Sequence, residues 1–142
     1  MTTSDDQLVN DDDIILHIEI DDEPLVAERP RFRFLHSTRR AICYDPQRAN
    51  KRAIRFACRL ALEECGVTRF PFFSNKELKA VVTFYLINRR KDVDNLLKFI
   101  LDALQTVAYK NDCWIFDIRA KKKAVPSLEG TTIEVEVLHD DE

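Results

Sequence analysis

Between Ile87 and Leu104 the chain reads "INRRKDVDNLLKFILDAL". Asp92 and Asp94 stand where an apolar segment gives way to a helical pattern, directly after the cations Arg89, Arg90 and Lys91. Lys98 follows one helical turn inside, and Asp102 a turn beyond it. Acids favour helix starts, where a carboxylate accepts from free backbone N–H groups. That accounts for one of the two aspartates but not both. It also leaves Asp94, Lys98, Asp102 and Gln105 as a polar wedge on a helix whose stripe of Leu97, Ile100, Leu104 and Val107, widened by Leu96 and Phe99, is apolar. A buried carboxylate is costly unless paired or metal-bound. The pattern suits either a structural ion-pair network or a cation site.

A third carboxylate, Asp112 in "YKNDCWI", lies in the turn after this helix. A helix of about 14 residues is roughly 20 Å long, so Asp112 returns to Asp92 only if the following loop folds back. The sequence alone does not decide this. If the three carboxylates converge, they suit Mg²⁺, which takes one or two carboxylates completed by water and phosphate oxygens. Such an ion polarises a phosphodiester and lowers the pKa of water, while Lys98 would offset charge on the leaving oxygen.

These residues need elements to position them. "IILHIEI" alternates, with Ile14, Leu16, Ile18 and Ile20 on one face of a strand. "RFRFLH" and "AICYD" flank "STRR" as a hairpin. Pro46 follows Asp45, an N-cap and first-turn signal, and Ala53, Ile54, Ala57, Leu60 and Ala61 recur at helical spacing, giving a helix from Pro46 to Glu64 that ends near Gly66. "LKAVVTFYLI" is apolar on both faces and is expected at the centre of the sheet. The second helix is expected from Asp94 to Val107. "CWIFDIRAKKK" and "TTIEVEV" are strands joined too briefly for a crossover, so they are expected to pair antiparallel. The order is β-ββ-α-β-α-β-β: an α+β fold with a small mixed, mostly antiparallel sheet and two main helices.

The 142 residues suit one domain with one modest core. The net charge of −3 hides an asymmetry. Five aspartates fall in residues 1–13 and three acids in 140–142; setting them apart leaves 17 acids against 22 bases, a charge of +5. A basic body with acidic ends fits a polyanionic partner, and also a solubilised surface with disordered tails. The expected division is an acidic disordered tail over 1–13, a domain over 14–138 and an acidic end over 139–142. Candidate phosphate contacts are Arg29, Arg31, Arg33, Arg39, Arg40, the run Arg89, Arg90 and Lys91, and Lys122 with its neighbours Lys121 and Lys123. Phe70, Phe72 and Phe73 in "RFPFFSNKE" suit either a wedge at a DNA branch point or packing against the core. Cys43, Cys58, Cys65 and Cys113 form no CxxC pair and are expected to be reduced core thiols rather than disulfides or zinc ligands. His17 reads as a strand residue on the polar face. No apolar run is long enough to span a bilayer, and a cytoplasmic, nucleoid-associated protein with no secretion signal is expected.

"KDVDNLLKFILDAL…YKND…DIRAKKK" resembles the RusA-like Holliday-junction resolvase family, with its D-x-D-N-x-x-K, D-A-L and acidic pair. Asp92, Asp94, Asn95, Lys98, Asp102, Ala103, Leu104, Tyr109 and Asp112 fall in order, and "ERPRFRF" and "YDPQRANKRAIRFAC" are similar to its arginine-rich hairpin and first helix. The resemblance implies a Mg²⁺-dependent homodimeric endonuclease, with Mn²⁺ able to substitute, cutting four-way DNA junctions in pairs of symmetric cuts in recombination and repair. It implies Asp92, Asp94 and Asp112 as metal ligands, Lys98 as the catalytic lysine, and a fold-back of Asp112. Asn111 replaces the first acid of the family's pair. A Mg²⁺ nuclease for flaps or other branched DNA, or a catalytically weak junction-binding protein, would share these residues.

Overall fold

The computed structural model describes residues 10–139. Six strands and two helices run in the order β1 (Leu16–Ile20), β2 (Arg31–Leu35), β3 (Arg40–Tyr44), α1 (Arg48–Glu64), β4 (Leu78–Leu86), α2 (Val93–Leu104), β5 (Ile115–Ala124) and β6 (Gly130–Val137). This is the expected α+β fold and element order.

The sheet order is β1-β6-β4-β5, with β2 and β3 forming a separate two-stranded ribbon. β4 is central as its two-sided apolar pattern requires, and β6 pairs antiparallel with both β1 and β4. The pairing expected between β5 and β6 does not form. β4, α2 and β5 instead make a crossover unit, so β5 lies parallel to β4. The chain then passes over the end of β4, where Val125 N–H donates to the Leu86 carbonyl and the Glu129 carboxylate accepts from Ile87 N–H. The short connection spans two strand spacings, about 10 Å, which five extended residues cover easily.

One face of the sheet is buried under both helices. Leu16, Ile18, Ala80, Val82, Phe84, Ile133 and Val135 meet Ile54, Cys58 and Leu62 of α1 and Leu96, Phe99, Ile100 and Leu104 of α2. The other face is polar, and His17 sits on it between Glu19 and Glu134, as expected. α1 begins two residues later than Pro46. Asp45 Oδ1 accepts from Gln47 N–H, and its Oδ2 accepts from Lys51 Nζ. At the other end Gly66, with φ 90°, closes a Schellman turn in which Val67 N–H reaches the Leu62 carbonyl.

α2 ends at Leu104, a turn before the expected Val107. Arg55 donates to the carbonyls of Asp102 and Gln105, and Tyr109 Oη donates to that of Leu101, so side chains from outside occupy the last turn. Phe70, Phe72 and Phe73 pack onto the core rather than forming a wedge. Phe73 is buried, and Phe72 and Phe73 N–H bond the carbonyls of Val107 and Ala108. Of the four cysteines only Cys58 is a core thiol. Cys43 on the ribbon, Cys65 just past the end of α1 and Cys113 in a 3₁₀ turn are exposed. Within the expected tail, Asn10 caps a 3₁₀ turn over Asp11–Asp13 whose Asp11 and Asp12 pair with Lys76. Residues 1–9 and 140–142 of the two acidic ends lie outside the described residues.

Candidate active site

Residues 87–92 carry the chain from the end of β4 to the start of α2, and three distant segments fix them. Lys91 Nζ donates to the Glu23 carboxylate at 2.7 Å and to the Pro24 carbonyl. Lys122 Nζ, from β5, donates to the carbonyls of Arg89 and Lys91 at 2.9 and 2.7 Å. The strap over residues 21–30 is held against α2 by Ala27 N–H, which donates to the Asn95 carbonyl. Lys91 and Lys122 therefore spend their ammonium groups inside the chain. Arg89 and Arg90 are exposed and have no ion-pair partner among the described residues.

Asp92 is the N-cap of α2, yet its carboxylate makes no capping hydrogen bond. Asp94 is exposed and, among the described residues, accepts only from the N–H of its neighbour Asn95. The two carboxylates thus keep most of their lone pairs for another ligand, at the positive end of the helix dipole. The polar wedge is not buried. Lys98 is exposed, and together with Asn95, Asp102, Asp45, Lys51 and Arg29 it lines an open cleft between α2 and the strap. Lys51 holds the Asp45 carboxylate below its ordinary pKa through a 2.8 Å ion pair, assisted by Gln47 N–H.

Asp112 is elsewhere. It opens the 3₁₀ turn that leads into β5, and the start of β5 lies beside Leu78, the start of β4. Asp92 and Asp94 follow the opposite end of β4. Eight residues of strand separate the two ends, about 26 Å. Asp112 instead shares the C-terminal end of α2 with Asp102, where burial first, then the Asp112 charge, raises the Tyr109 hydroxyl above its usual pKa range. The expected fold-back within one chain does not occur, because the crossover sends β5 back to the start of β4. Among the described residues no three of His, Cys, Asp and Glu stand close enough to share a metal ion. The donor chemistry at Asp92 and Asp94 does fit a hard cation: two free carboxylates two residues apart leave room for water and phosphate oxygens.

The ribbon presents the remaining cations. Arg31, Arg33 and Arg40 alternate with Phe32, Phe34 and Ala41, so the ribbon has a cationic and an apolar face. Phe32 is 75 % exposed. Arg39 occupies the turn with φ 53°, and Arg31 is paired with Glu28. One functional position escaped the sequence patterns: Gln47, buried at the start of α1, holds the strap by donating to the Val26 carbonyl and accepting from Glu28 N–H. A glutamine between a proline and an arginine carries no periodic or charge signal.

The family model described as Endodeoxyribonuclease RusA matches residues 21–137. The chain belongs to the RusA endodeoxyribonuclease family. Membership brings endodeoxyribonuclease chemistry and, at the level of the family, action on Holliday junctions. The match takes in the strap, the ribbon, both helices and β4 to β6 and leaves out β1. No curated protein matches the chain. No described helix is long and apolar enough to cross a membrane.

Proposed function

We propose that this member of the RusA family is a Mg²⁺-dependent endonuclease that cuts four-way junctions as a homodimer, with Mn²⁺ able to replace Mg²⁺. The observation that supports this best is the uncommitted pair Asp92 and Asp94 at the mouth of α2, on a loop pinned by Lys91 and Lys122 and flanked by the exposed Arg89 and Arg90. A bound Mg²⁺ supplies Lewis acidity toward the phosphodiester and lowers the pKa of water. Asp92 and Asp94 would hold the ion. Arg89 and Arg90 attract the phosphate backbone, and the N–H groups of the first turn of α2 favour its negative charge. Lys98, exposed one turn further along, sets an ammonium where charge accumulates on the departing oxygen.

Asp112 can join this set only from a second copy of the chain, since within one copy it lies at the other end of the sheet. A four-way junction has two-fold symmetry, and a two-fold dimer offers two such sites at a fixed separation. Asn111 suits a positioning role: its Oδ1 accepts from Cys113 N–H at 2.9 Å and shapes the turn that carries Asp112.

Incubation with a mobile four-way junction, a flap and a linear duplex, each with and without Mg²⁺, tests the activity. Cleavage of the junction alone, only with Mg²⁺, is expected. D92N and D94N should abolish cutting and retain junction binding. K98A should lose cutting and keep Mn²⁺ binding. Mixing D92N with D112N tests the shared site: heterodimers should regain one intact site and nick the junction. Retained cutting by D92N would remove Asp92 from the metal site, cutting by D112N alone would place Asp112 outside it, and a mixture of the two inactive variants that does not nick would show that the site is not shared.

A further inference from the structure

A second cleft, of about 270 Å³, opens between residues 21–25 at the start of the strap, α1 and α2, and shares no residue with the one that holds Lys98. Thr131 lies at its floor. In the sheet Thr131 stands between Ile20 of β1 and Phe84 of β4, and its side chain points to the helices as those of Ile133 and Val135 do. It is 3 % exposed, and its hydroxyl has no hydrogen-bond partner among the described residues. Buried polar groups are paired as a rule, and an orphan one costs stability. An orphan hydroxyl lining an open cleft is satisfied when a ligand enters. The backbone around it is fixed: the ends of β1 and β6 are pressed together so closely that a Cβ on Gly130 would stand 2.6 Å from the Ile20 carbonyl oxygen.

The rest of the cleft selects the ligand. Its walls are apolar, with Ile54 of α1, Phe99 and Ile100 of α2 and Phe84 of the sheet. Its rim is acidic. Asp21 and Asp22 are exposed and have no ion-pair partner among the described residues, whereas Glu23 is held by Lys91. Acids at the rim repel phosphate, which excludes DNA and nucleotides. Sites for small molecules run from about 300 to 1,000 Å³, so this volume suits one large side chain of a larger partner. That side chain needs an apolar body and a polar tip. Tyrosine has both, and its phenol, like the threonine hydroxyl, can donate or accept.

We propose that the cleft docks a basic segment of a protein partner: a tyrosine enters against Ile54 and Phe99 with its hydroxyl on Thr131, and lysines or arginines on either side of it meet Asp21 and Asp22. No metal or DNA takes part, so the proposal stands apart from the nuclease reading above. The docked segment lies against the strap beside Glu23 and Pro24, the two residues that hold Lys91. It touches the scaffold of the Asp92 loop without entering the cleft of Lys98.

Amide NMR spectra of the full chain, titrated with an acetylated and amidated peptide of one tyrosine between two pairs of lysines, test this. Shifts should centre on Ile20, Ile54 and Thr131. Replacing the peptide's tyrosine by phenylalanine should weaken binding about fivefold, the worth of one hydrogen bond. T131V, which keeps the shape of the side chain, should bind the two peptides equally. D21N/D22N should weaken binding about threefold or more at low salt, and a peptide with glutamates for lysines should not bind. Shifts confined to residues 1–13, equal binding of the two peptides by the parent chain, an unchanged preference in T131V or unweakened binding by D21N/D22N would overturn the proposal. The peptide comparison needs no variant and decides if T131V does not fold. Shifts at Thr131 and Ile54 on dilution of the chain alone would put a second copy in the cleft and overturn it likewise.

Discussion

Replacing Gln47 by alanine should unfasten the strap and cost the fold about 3 kcal/mol. Gln47 is 4 % exposed, donates to the Val26 carbonyl at 2.7 Å and accepts from Glu28 N–H at 3.0 Å. Two hydrogen bonds are worth about 1 kcal/mol each, and the one buried methylene that is lost, Cγ, about 0.8 kcal/mol. The sum is about 3 kcal/mol. A domain of this length has an unfolding entropy of roughly 0.3 kcal/mol per kelvin, so Tm should fall by about 10 °C. Q47E keeps the volume but sets a carboxylate oxygen against the Val26 carbonyl. Its folded pKa is then above the unfolded value of about 4.3, so its penalty is absent in acid and grows as pH rises through that value. Urea titrations of the parent chain, Q47A and Q47E at pH 4 and 7 measure both effects. A Q47A chain within about 0.5 kcal/mol of the parent, in the range of ordinary surface substitutions, would show that Gln47 does not hold the strap.

Burial pushes the Cys58 thiol up to about 12. A thiol reagent at pH 8 should therefore titrate Cys43, Cys65 and Cys113 rapidly and reach Cys58 only on unfolding; four fast thiols would refute its burial. Asp45 is held below the ordinary aspartate value of 3.8 by Lys51 and Gln47. Its contribution to the start of α1 is present above that value and lost as pH falls through the lower folded pKa, and carboxyl NMR titration should find it among the last aspartates to protonate. Deleting residues 1–13 changes the net charge from −3 to +2 and should raise junction affinity at low salt. The difference should vanish near 1 M salt, where the Debye length is about 3 Å. Equal affinities at low salt would make that segment idle toward DNA.

Periodicity made the core legible. The alternation of β1 predicted its apolar face and the two-sided apolar run of β4 its place inside the sheet, because burial selects side chains directly. The partner of β5 was not legible. A short connection between strands favours a hairpin, and nothing in "VPSLEG" says that the chain steps over β4 instead. The position of Asp112 followed from the same topology, so a local motif named the residue and could not locate it. Charge proved a poor guide to free cations. Lys91 and Lys122 belong to basic runs like the others, yet backbone carbonyls claim them. The early end of α2 depends on Arg55, fifty residues away in the chain, beyond the reach of any local propensity.

The strand that lies second in the sheet order, β6, is the last to be made among the described elements. During synthesis β4, α2 and β5 emerge with the loop that bears Asp92 already in sequence, while the inner edge of β4 still waits for its neighbour and β1 has no sheet to join. The site-bearing loop then lacks the Glu129 contact at Ile87 and the frame that sets β4. Competence therefore comes late in the life of each molecule. A partly made chain carries every candidate catalytic residue but not the scaffold to aim them, so a DNA-cutting activity is withheld until β6 has been made.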